Sequence, residues 1–360
     1  MTRCFLASLV LAGSLCAAPA LAAGLKIAVV APQEGPFATL GRQMVDGARF
    51  QAGDRGSEVV VVPETCEATD SEALAKAIIA TGAEAAIGFL CTESLEAALP
   101  AMAEAGLPAI TLSVRSGILM EDALKNKWPF FRLVPSAKME ADKITEIILS
   151  RWRDEPLALI DDGTIHGREL VESVRAALGE VGLTPVFTDT YRPSQDQQIS
   201  LVRRLARSGA THVFVGGDRS DIAIIARDAT AEKTPLTLLG GEVLDAADQP
   251  VPLADGVLAV ALPDYAMTDA ARPVSQSMTS AGQLPEGYVL PAYSAMSILE
   301  QAKDEAEKDD IKLPEALLKG PFQTPLGAIG FSGEHELAVN PYQLLQWDGS
   351  RFVSAPASGE

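Results

Sequence analysis

Two hydroxyl side chains, Thr92 and Ser94, are the first residues in this sequence whose types and spacing could bind a small molecule. They come directly after Cys91 and after a short apolar run at residues 85–90, which is typical of a buried strand. Hydroxyl residues at a helix start cap the helix and leave backbone N–H groups that attract anions. The pattern therefore predicts that a carboxylate can dock here, and ordinary helix capping is compatible with that role.

The first 22 residues have the composition of an export signal. They contain one arginine, an apolar core, and small residues at Ala20 and Ala22. We expect cleavage after Ala22, which removes Cys4 and Cys16 with the leader. The lipoprotein alternative needs a small residue before the modified cysteine, and Leu15 stands before Cys16. The mature chain is expected in the periplasm.

Cys66 and Cys91 are the two cysteines left after this cleavage. An even pair in an exported chain favours a disulfide over a metal or catalytic site. The two residues follow predicted strands that are neighbours in a parallel sheet, so their Cα atoms can approach bonding distance. Two buried free thiols are the alternative.

Catalytic and metal-binding patterns are missing from the sequence. The three histidines, His166, His212 and His335, fall in separate predicted elements without the spacing of metal ligands. There is no P-loop, no G-x-S-x-G and no H-E-x-x-H motif, and "EGPFATLG" lacks the close glycines of a dinucleotide-binding loop. We therefore expect no catalytic residue, no metal and no cofactor, with an enzyme that closes around its substrate as an alternative.

The chain is acidic, with a formal net charge of −19. Removal of Arg3 with the leader makes the charge −20, since −19 − 1 = −20. Such a charge disfavours nucleic acid and anionic membrane surfaces as partners. No later apolar run reaches the length of a membrane helix. We expect a soluble monomer that binds no nucleic acid.

Buried strands and amphipathic helices alternate along most of the chain, which predicts parallel sheets with right-handed crossovers. The segments "GPFATLGRQMVDGA" and "GTIHGRELVESVRAA" share a spacing of glycines and arginine, which favours two lobes of one architecture. We predict an α/β fold of two doubly wound parallel-sheet lobes joined by three crossover strands. The expected boundaries are 1–22 for the signal peptide, 23–134 plus 263–330 for lobe one, and 135–262 plus 331–360 for lobe two.

Individual elements follow from the same patterns. Strands are predicted at 26–31, 58–62, 85–90, 108–112, 157–161, 185–189, 211–215, 236–239 and 256–261. Helices are predicted at 39–52, 70–81, 137–151, 168–180, 196–208 and 220–231, with a further helical stretch over 267–306. The tail from 326 to 353 alternates like antiparallel strands, with "SGEHE" and "DGS" as turns.

Five segments of the sequence resemble the type I periplasmic binding proteins, specifically the branched-chain amino-acid (leucine/isoleucine/valine) binding family of ABC importers. They are "KIAVVAPQEGPFATLG", "AIGFLCTES", "DDGTIHGREL", "HVFVGGD" and "LLGGEV", and their order and intervals are family-like across nearly the whole mature chain. The resemblance implies a two-lobed clamp that closes on an amino acid, a disulfide between Cys66 and Cys91, and a membrane ABC permease as partner.

In lobe one, the resemblance implies that Thr92, after the second cysteine, receives the ligand carboxylate. Ser113 would present its backbone carbonyl to the ligand. Arg115 stands where the family usually has a threonine. A guanidinium there can hold a carboxylate in a bidentate fork, whereas pairing with a surface acid is the alternative.

In lobe two, the resemblance places His166 at the family's aromatic position, Asp218 after "VGG", and Glu242 at the amine-binding acid. Two acids suit an ammonium group, and Asp218 can also serve a second cationic group. Helix capping is the alternative for Asp218, and an ordinary surface position is the alternative for His166. The expected ligand is an amino acid or related carboxylate, with an amide or aromatic acid as the alternative. A sensor that reports to a membrane partner is the alternative to an importer.

Overall fold

A computed structural model describes residues 24–66, 71–247 and 250–356 of the chain. The predicted export signal, with Cys4 and Cys16, lies outside these ranges. Within them, no helix combines the length and the apolar character that crossing a membrane requires.

The described ranges contain one five-stranded sheet, one seven-stranded sheet and one two-stranded hairpin. The strands are β1 (Lys26–Ala31), β2 (Glu58–Pro63), β3 (Ala85–Gly88), β4 (Ala109–Thr111), β5 (Phe130–Arg132), β6 (Leu157–Asp161), β7 (Phe187–Thr190), β8 (His212–Gly216), β9 (Thr237–Gly240), β10 (Leu258–Ala261), β11 (Phe322–Thr324), β12 (Gly327–Ile329), β13 (Gln343–Trp347) and β14 (Phe352–Ser354).

Helices connect most of these strands. They are α1 (Ala38–Arg55), α2 (Ser71–Ala80), α3 (Thr92–Glu104), α4 (Gly117–Asn126), α5 (Ala137–Arg151), α6 (Ile165–Glu180), α7 (Ile199–Ser208), α8 (Arg219–Ala231), α9 (Arg272–Ser280), α10 (Val289–Asp309) and α11 (Leu313–Leu317), with short 3-10 helices at Glu242–Asp245 and Tyr265–Met267.

The sheet of lobe one has the order β2-β1-β3-β4-β5, and all of its neighbouring strands are parallel. Helices cover both faces, which explains why the strand sequences are apolar at successive positions. In β1, Ile27 and Val29 belong to the core that includes α1 and α10. Ala28 and Val30 belong to the opposite core, which includes α2, α3 and α4.

The sheet of lobe two has the order β14-β13-β10-β9-β8-β6-β7. The strands from β10 to β7 are parallel, whereas β13 pairs antiparallel with β10, and β14 pairs antiparallel with β13. The antiparallel tail predicted from alternation is confirmed, with the "DGS" turn between β13 and β14. The α/β class with two parallel-sheet lobes is confirmed as well.

Some elements differ from the sequence prediction. The stretch 267–306, predicted as helical throughout, contains two α-helices separated by residues 281–288. Gly282 adopts a left-handed conformation with φ of 79° just after α9, which ends that helix. The sequence prediction omitted α4 and β5, and β5 has only three residues, which is too short to show a period.

The third crossing between the sheets begins inside lobe one. Phe331 and Leu337 form an isolated antiparallel bridge and pack in the core of lobe one, although the predicted boundary at residue 330 assigns them to lobe two. The ring of His335 stacks on Phe131 at 4.4 Å between centroids. The chain then enters the sheet of lobe two at β13. The domain boundaries as a whole stay a prediction.

Candidate functional site

The candidate site lies where loops after parallel strands of the two lobes meet. Arg115 follows β4 in lobe one, and Glu242 follows β9 in lobe two. Ligands of open α/β sheets bind outside the carboxyl ends of the strands, which is the edge that carries both residues. The two side chains are in direct contact, so this edge of each lobe faces the other.

Arg115 and Glu242 form a bidentate ion pair between the lobes. Nη1 of Arg115 donates to Oε2 of Glu242 at 2.7 Å, and Nη2 donates to Oε1 at 2.9 Å. The Tyr342 hydroxyl donates to Oε2 of Glu242 at 2.5 Å and accepts from Nη1 of Arg115 at 3.1 Å. The side chains of Arg115 and Glu242 are 33% and 28% exposed, so the pair lies partly in contact with solvent.

The pair changes the pKa of both partners. Burial raises the pKa of Glu242, but the hydrogen bonds and charge of Arg115 outweigh burial and hold that pKa below its usual value of 4.5. Burial lowers the pKa of Arg115. The hydrogen bonds and charges of Glu242 and Tyr342 outweigh burial, so the pKa of Arg115 is raised overall. Both groups are therefore charged in the site at neutral pH.

A buried acid, Glu140 of α5, holds the backbone beneath this pair. Glu140 is 2% exposed, and its Oε1 accepts a hydrogen bond from the backbone N–H of Glu242 at 2.7 Å. A Cβ added to Gly241 would come within 2.3 Å of the same oxygen, so the Glu140 carboxylate would have to shift to admit any larger residue. Burial raises the pKa of Glu140. His166 is exposed at the start of α6. The positive charge of its protonated ring lowers the pKa of both Glu140 and Glu242.

The start of α3 already binds a carboxylate, and that carboxylate belongs to the protein. Glu64 is 4% exposed and accepts hydrogen bonds from the backbone N–H groups of Leu90 at 2.8 Å and Cys91 at 3.2 Å. The Ser94 hydroxyl also hydrogen-bonds to Glu64. Ser94 is thus engaged inside the protein. Thr92, half-buried at the first position of α3, is the hydroxyl that remains a candidate for the ligand.

A disulfide joins Cys66 and Cys91 beside this acid, with a Cα–Cα distance of 5.3 Å. The predicted pairing is confirmed in place of two free thiols. The premise that the cysteines follow neighbouring strands was wrong, because β1 lies between β2 and β3 in the sheet. The bond connects the segment after β2 to the residue before α3. It therefore holds Glu64 and Thr92 in one small region of lobe one.

Ser113 lies half-buried in the loop after β4. Its hydroxyl accepts a hydrogen bond from the Tyr288 hydroxyl at 3.0 Å, and its backbone N–H donates to Oγ1 of Thr111 at 3.3 Å. Thr111 also accepts from the backbone N–H of Val114 at 3.0 Å. These bonds fix the loop that leads from β4 to Arg115.

Arg132 of β5 supports the same loop from below. It is fully buried, and its guanidinium donates to the backbone carbonyls of Arg115 at 3.1 Å and Ser116 at 2.6 Å. It also pairs with Glu336 at 3.3 Å. Burial lowers the pKa of Arg132, and Glu336 counteracts that effect. The sequence analysis missed Arg132 because β5 was missed, and an arginine directly after two phenylalanines was the available signal.

Asp218 lies one strand away from Glu242, after β8, which is the neighbour of β9. It is exposed at the N-terminal cap of α8, yet its side chain accepts no capping hydrogen bond. The capping alternative therefore lacks the side-chain hydrogen bond to the helix backbone that it would provide.

The structure brings some of the predicted site residues together and leaves others at separate places. Arg115 and Glu242 are in contact, and His166 lies near them, whereas Thr92, Ser113 and Asp218 line the adjoining loops. The sequence analysis missed four residues that build this site: Glu64, Arg132, Glu140 and Tyr342. Glu140 lay in a predicted helix and Tyr342 in the predicted tail, whereas Glu64 and Arg132 lay outside every predicted element.

Known proteins resemble this chain over most of its length. A protein of Brucella melitensis named Leu/Ile/Val-binding protein homolog 3 is 24% identical over 363 residues, covering 97% of this chain and 98% of that protein. A Pseudomonas aeruginosa protein named leucine-, isoleucine-, valine-, threonine-, and alanine-binding protein is 23% identical over 337 residues, covering 90% of each. A solved structure from Rhodospirillum rubrum has a TM-score of 0.80 and 16% identity, covering 92% of this chain and 100% of that one.

The relatives agree with the fold and with the expectation of a binding protein that is not an enzyme. The resemblance to type I periplasmic binding proteins of the branched-chain amino-acid family is confirmed. A family model described as periplasmic binding protein matches residues 24–351, which is most of the sequence. This chain therefore belongs to the periplasmic binding protein family.

Proposed function

We propose that this protein is the periplasmic receptor of an ABC importer and that it clamps an amino acid between its two lobes. The contact between Arg115 of lobe one and Glu242 of lobe two carries the proposal. An amino-acid zwitterion offers a carboxylate to the first side chain and an ammonium group to the second. The names of the relatives from Brucella melitensis and Pseudomonas aeruginosa, which are amino-acid-binding proteins, support this ligand class.

Binding exchanges one ion pair for two. The ligand carboxylate takes the bidentate place that Glu242 occupies on Arg115, with Thr92 and Ser113 as further contacts on lobe one. The ligand ammonium then pairs with Glu242, whose carboxylate keeps the hydrogen bond from Tyr342. The lobes stay connected through the ligand. The ligand favours closure only through the contacts that it makes with both lobes at once.

The importer role requires a membrane ABC permease as partner, and we expect the receptor to be a monomer. The family of the chain and the export signal expected at residues 1–22 support a periplasmic location. An exported sensor would share the same clamp, so genes for permease and ATPase subunits next to this one distinguish importer from sensor.

The test is a thermal-shift screen of amino acids, amides and aromatic acids, followed by titration calorimetry on the best ligand. The variant Glu242→Gln keeps the size of the side chain and removes its charge. We expect it to weaken amino-acid binding at least tenfold, because loss of one member of a desolvated charge pair costs about 2 to 5 kcal/mol. Asp218→Ala weakens binding only where Asp218 also faces the ligand.

Glu172→Gln is the matched control for this experiment. Glu172 is an exposed acid of lobe two that pairs with Arg175 on the surface of α6. Its removal should leave the dissociation constant unchanged. Unchanged amino-acid affinity in Glu242→Gln would contradict the clamp and favour an amide or aromatic acid held by Arg115 and Thr92.

A further inference from the structure

Four carboxylates and a buried tyrosine meet at the carboxyl edge of the sheet in lobe two. Asp161 ends β6 and is in register with Thr190 of β7 and Gly216 of β8. The residues that follow these three therefore lie side by side just beyond the edge of the sheet. They are Asp162, Tyr191 and Gly217. Asp218 and Asp221 follow at the start of α8.

The Tyr191 side chain is aimed into this acidic cluster. Tyr191 is 4% exposed, and in the described part of the chain its hydroxyl has no hydrogen-bond partner. The hydroxyl lies against Gly217, where an added Cβ would be 1.9 Å from it. Burial, followed by the charges of Asp221, Asp162 and Asp218, raises the pKa of Tyr191. Buried polar atoms in folded proteins are nearly always hydrogen-bonded, so this hydroxyl calls for a partner.

The cluster keeps an excess of negative charge. Asp162 accepts hydrogen bonds from the backbone N–H and the hydroxyl of Thr164, and Asp221 accepts one from the backbone N–H of Ser194. Backbone and hydroxyl donors do not neutralise a carboxylate. Among the described residues, Asp161 of the cluster forms an ion pair with Arg168 at 3.7 Å, and the Arg168 side chain is 64% exposed.

An organic cation fits this cluster better than a metal ion. Within the ranges that the structure describes, no three histidine, cysteine or acidic residues are arranged to hold a metal. An ammonium group has three donors and no acceptor. It can pair with Asp218 and donate to the oxygen of Tyr191, whose own proton then turns to a neighbouring carboxylate.

The cluster lies beside the proposed amine site. Glu242 follows β9, Asp218 follows the next strand, β8, and Asp162 follows the strand after that, β6. Strands are about 4.8 Å apart, so these two acids stand roughly 5 and 10 Å from Glu242 along the edge. A side chain of four methylene groups covers about 6 Å, which is enough to bring a terminal cation from Glu242 to Asp218 at the near end of the cluster.

We propose that Asp162, Tyr191 and Asp218 form a second cation subsite, and that the amino acid bound by this protein carries an ammonium or guanidinium group in its side chain. The inference rests on the proposed function, because it takes Glu242 as the partner of the α-ammonium group. It departs from the aliphatic ligands for which the relatives are named.

The experiment compares L-lysine with L-norleucine by titration calorimetry, since norleucine has the same side chain without the terminal ammonium group. L-arginine and L-citrulline form a second pair. We expect the charged member of at least one pair to bind at least tenfold more tightly. Asp218→Asn should weaken binding of that charged member about tenfold and leave its neutral partner unchanged. Tyr191→Phe should also weaken binding of the charged member, by a smaller factor.

The matched control is Asp142→Asn, which removes one negative charge from an exposed pair with Lys138 on α5 of the same lobe. It should change neither affinity. Norleucine and citrulline binding as tightly as lysine and arginine would overturn the inference and leave the proposed function intact. Failure of every amino acid, leucine included, would overturn both. Should Tyr191→Phe not fold, Asp218→Asn at its exposed position still decides the result.

Discussion

The ion pair between Arg115 and Glu242 joins one side chain of lobe one to one side chain of lobe two. The two side chains share two hydrogen bonds. The Tyr342 hydroxyl forms two more, one with each partner. Because both are about one third exposed, the pair should be worth more than a surface salt bridge and less than a fully buried one, about 1 to 2 kcal/mol.

The first prediction concerns the pH dependence of this pair. The pKa of Glu242 is lowered from 4.5, so its stabilising contribution is present above that value and is lost as pH falls through the lower pKa of the folded state. The free energy of unfolding of wild type relative to Glu242→Gln should therefore be constant from about pH 7 to about pH 5 and should shrink below. Urea unfolding across this range measures it.

The same comparison in an Arg115→Met background is the control. Without the arginine, burial is the largest influence on Glu242 and raises its pKa. A raised pKa gives a contribution that is present below the unfolded value and is lost as pH rises. In this background, the difference in unfolding free energy between the proteins with and without Glu242 should therefore fall as pH rises. An identical pH dependence in the two backgrounds would show that Arg115 does not set the pKa of Glu242.

At the scale of single elements, the disulfide and Glu64 together hold the first turn of α3. Cys66 and Cys91 are 25 positions apart, and Glu64 caps the backbone N–H groups on the same side of the helix. A ligand carboxylate at Thr92 would approach a helix start whose backbone is already fixed. This order reduces the conformational freedom that binding has to remove.

The second prediction is that the Cys66→Ser/Cys91→Ser variant loses about 3 kcal/mol of unfolding free energy, because closing a loop of this length restricts the unfolded chain. Denaturant unfolding measures the loss, and reduced wild type should behave like the variant. Thiol labelling of the denatured, unreduced mature protein should find no free cysteine. Two labelled thiols per chain would contradict the disulfide.

At the scale of the whole molecule, the lobes meet through charges that the proposed ligand would also use. Arg115 and Glu242 are 127 residues apart in sequence, and Tyr342 lies another 100 residues beyond Glu242. Their contact joins the two lobes directly. In the proposed clamp, a ligand would replace one set of contacts between the lobes with another, and the difference between the two sets would decide the affinity.

The third prediction is that Arg115→Met has a larger radius of gyration than wild type in the absence of ligand, because the pair that joins the lobes is lost. Small-angle X-ray scattering measures this change. Arg175→Met is the matched control, since Arg175 pairs with Glu172 three residues away on the surface of α6. A radius that is the same in all three proteins would mean that the ion pair does not hold the lobes together.

The sequence by itself determined the local architecture of this protein. Apolar runs such as residues 26–31 and 85–88 must be covered on both faces, and their alternation with helices leaves a parallel sheet as the solution. The even number of cysteines in an exported chain led to the disulfide, and alternation in the tail led to β13 and β14. These features depend on periodicity and short-range spacing, which one sequence carries.

Only the tertiary structure decided which polar groups meet. Ser94 and Glu64 satisfy each other at the helix start where an external carboxylate was expected, and Arg132 supports the loop of Arg115 from a strand too short to predict. Arg115 and Glu242 were expected to bind opposite ends of a ligand, yet in the structure they bind each other. Such pairings depend on how the two sheets approach each other, and burial patterns within one element contain no information about that distance.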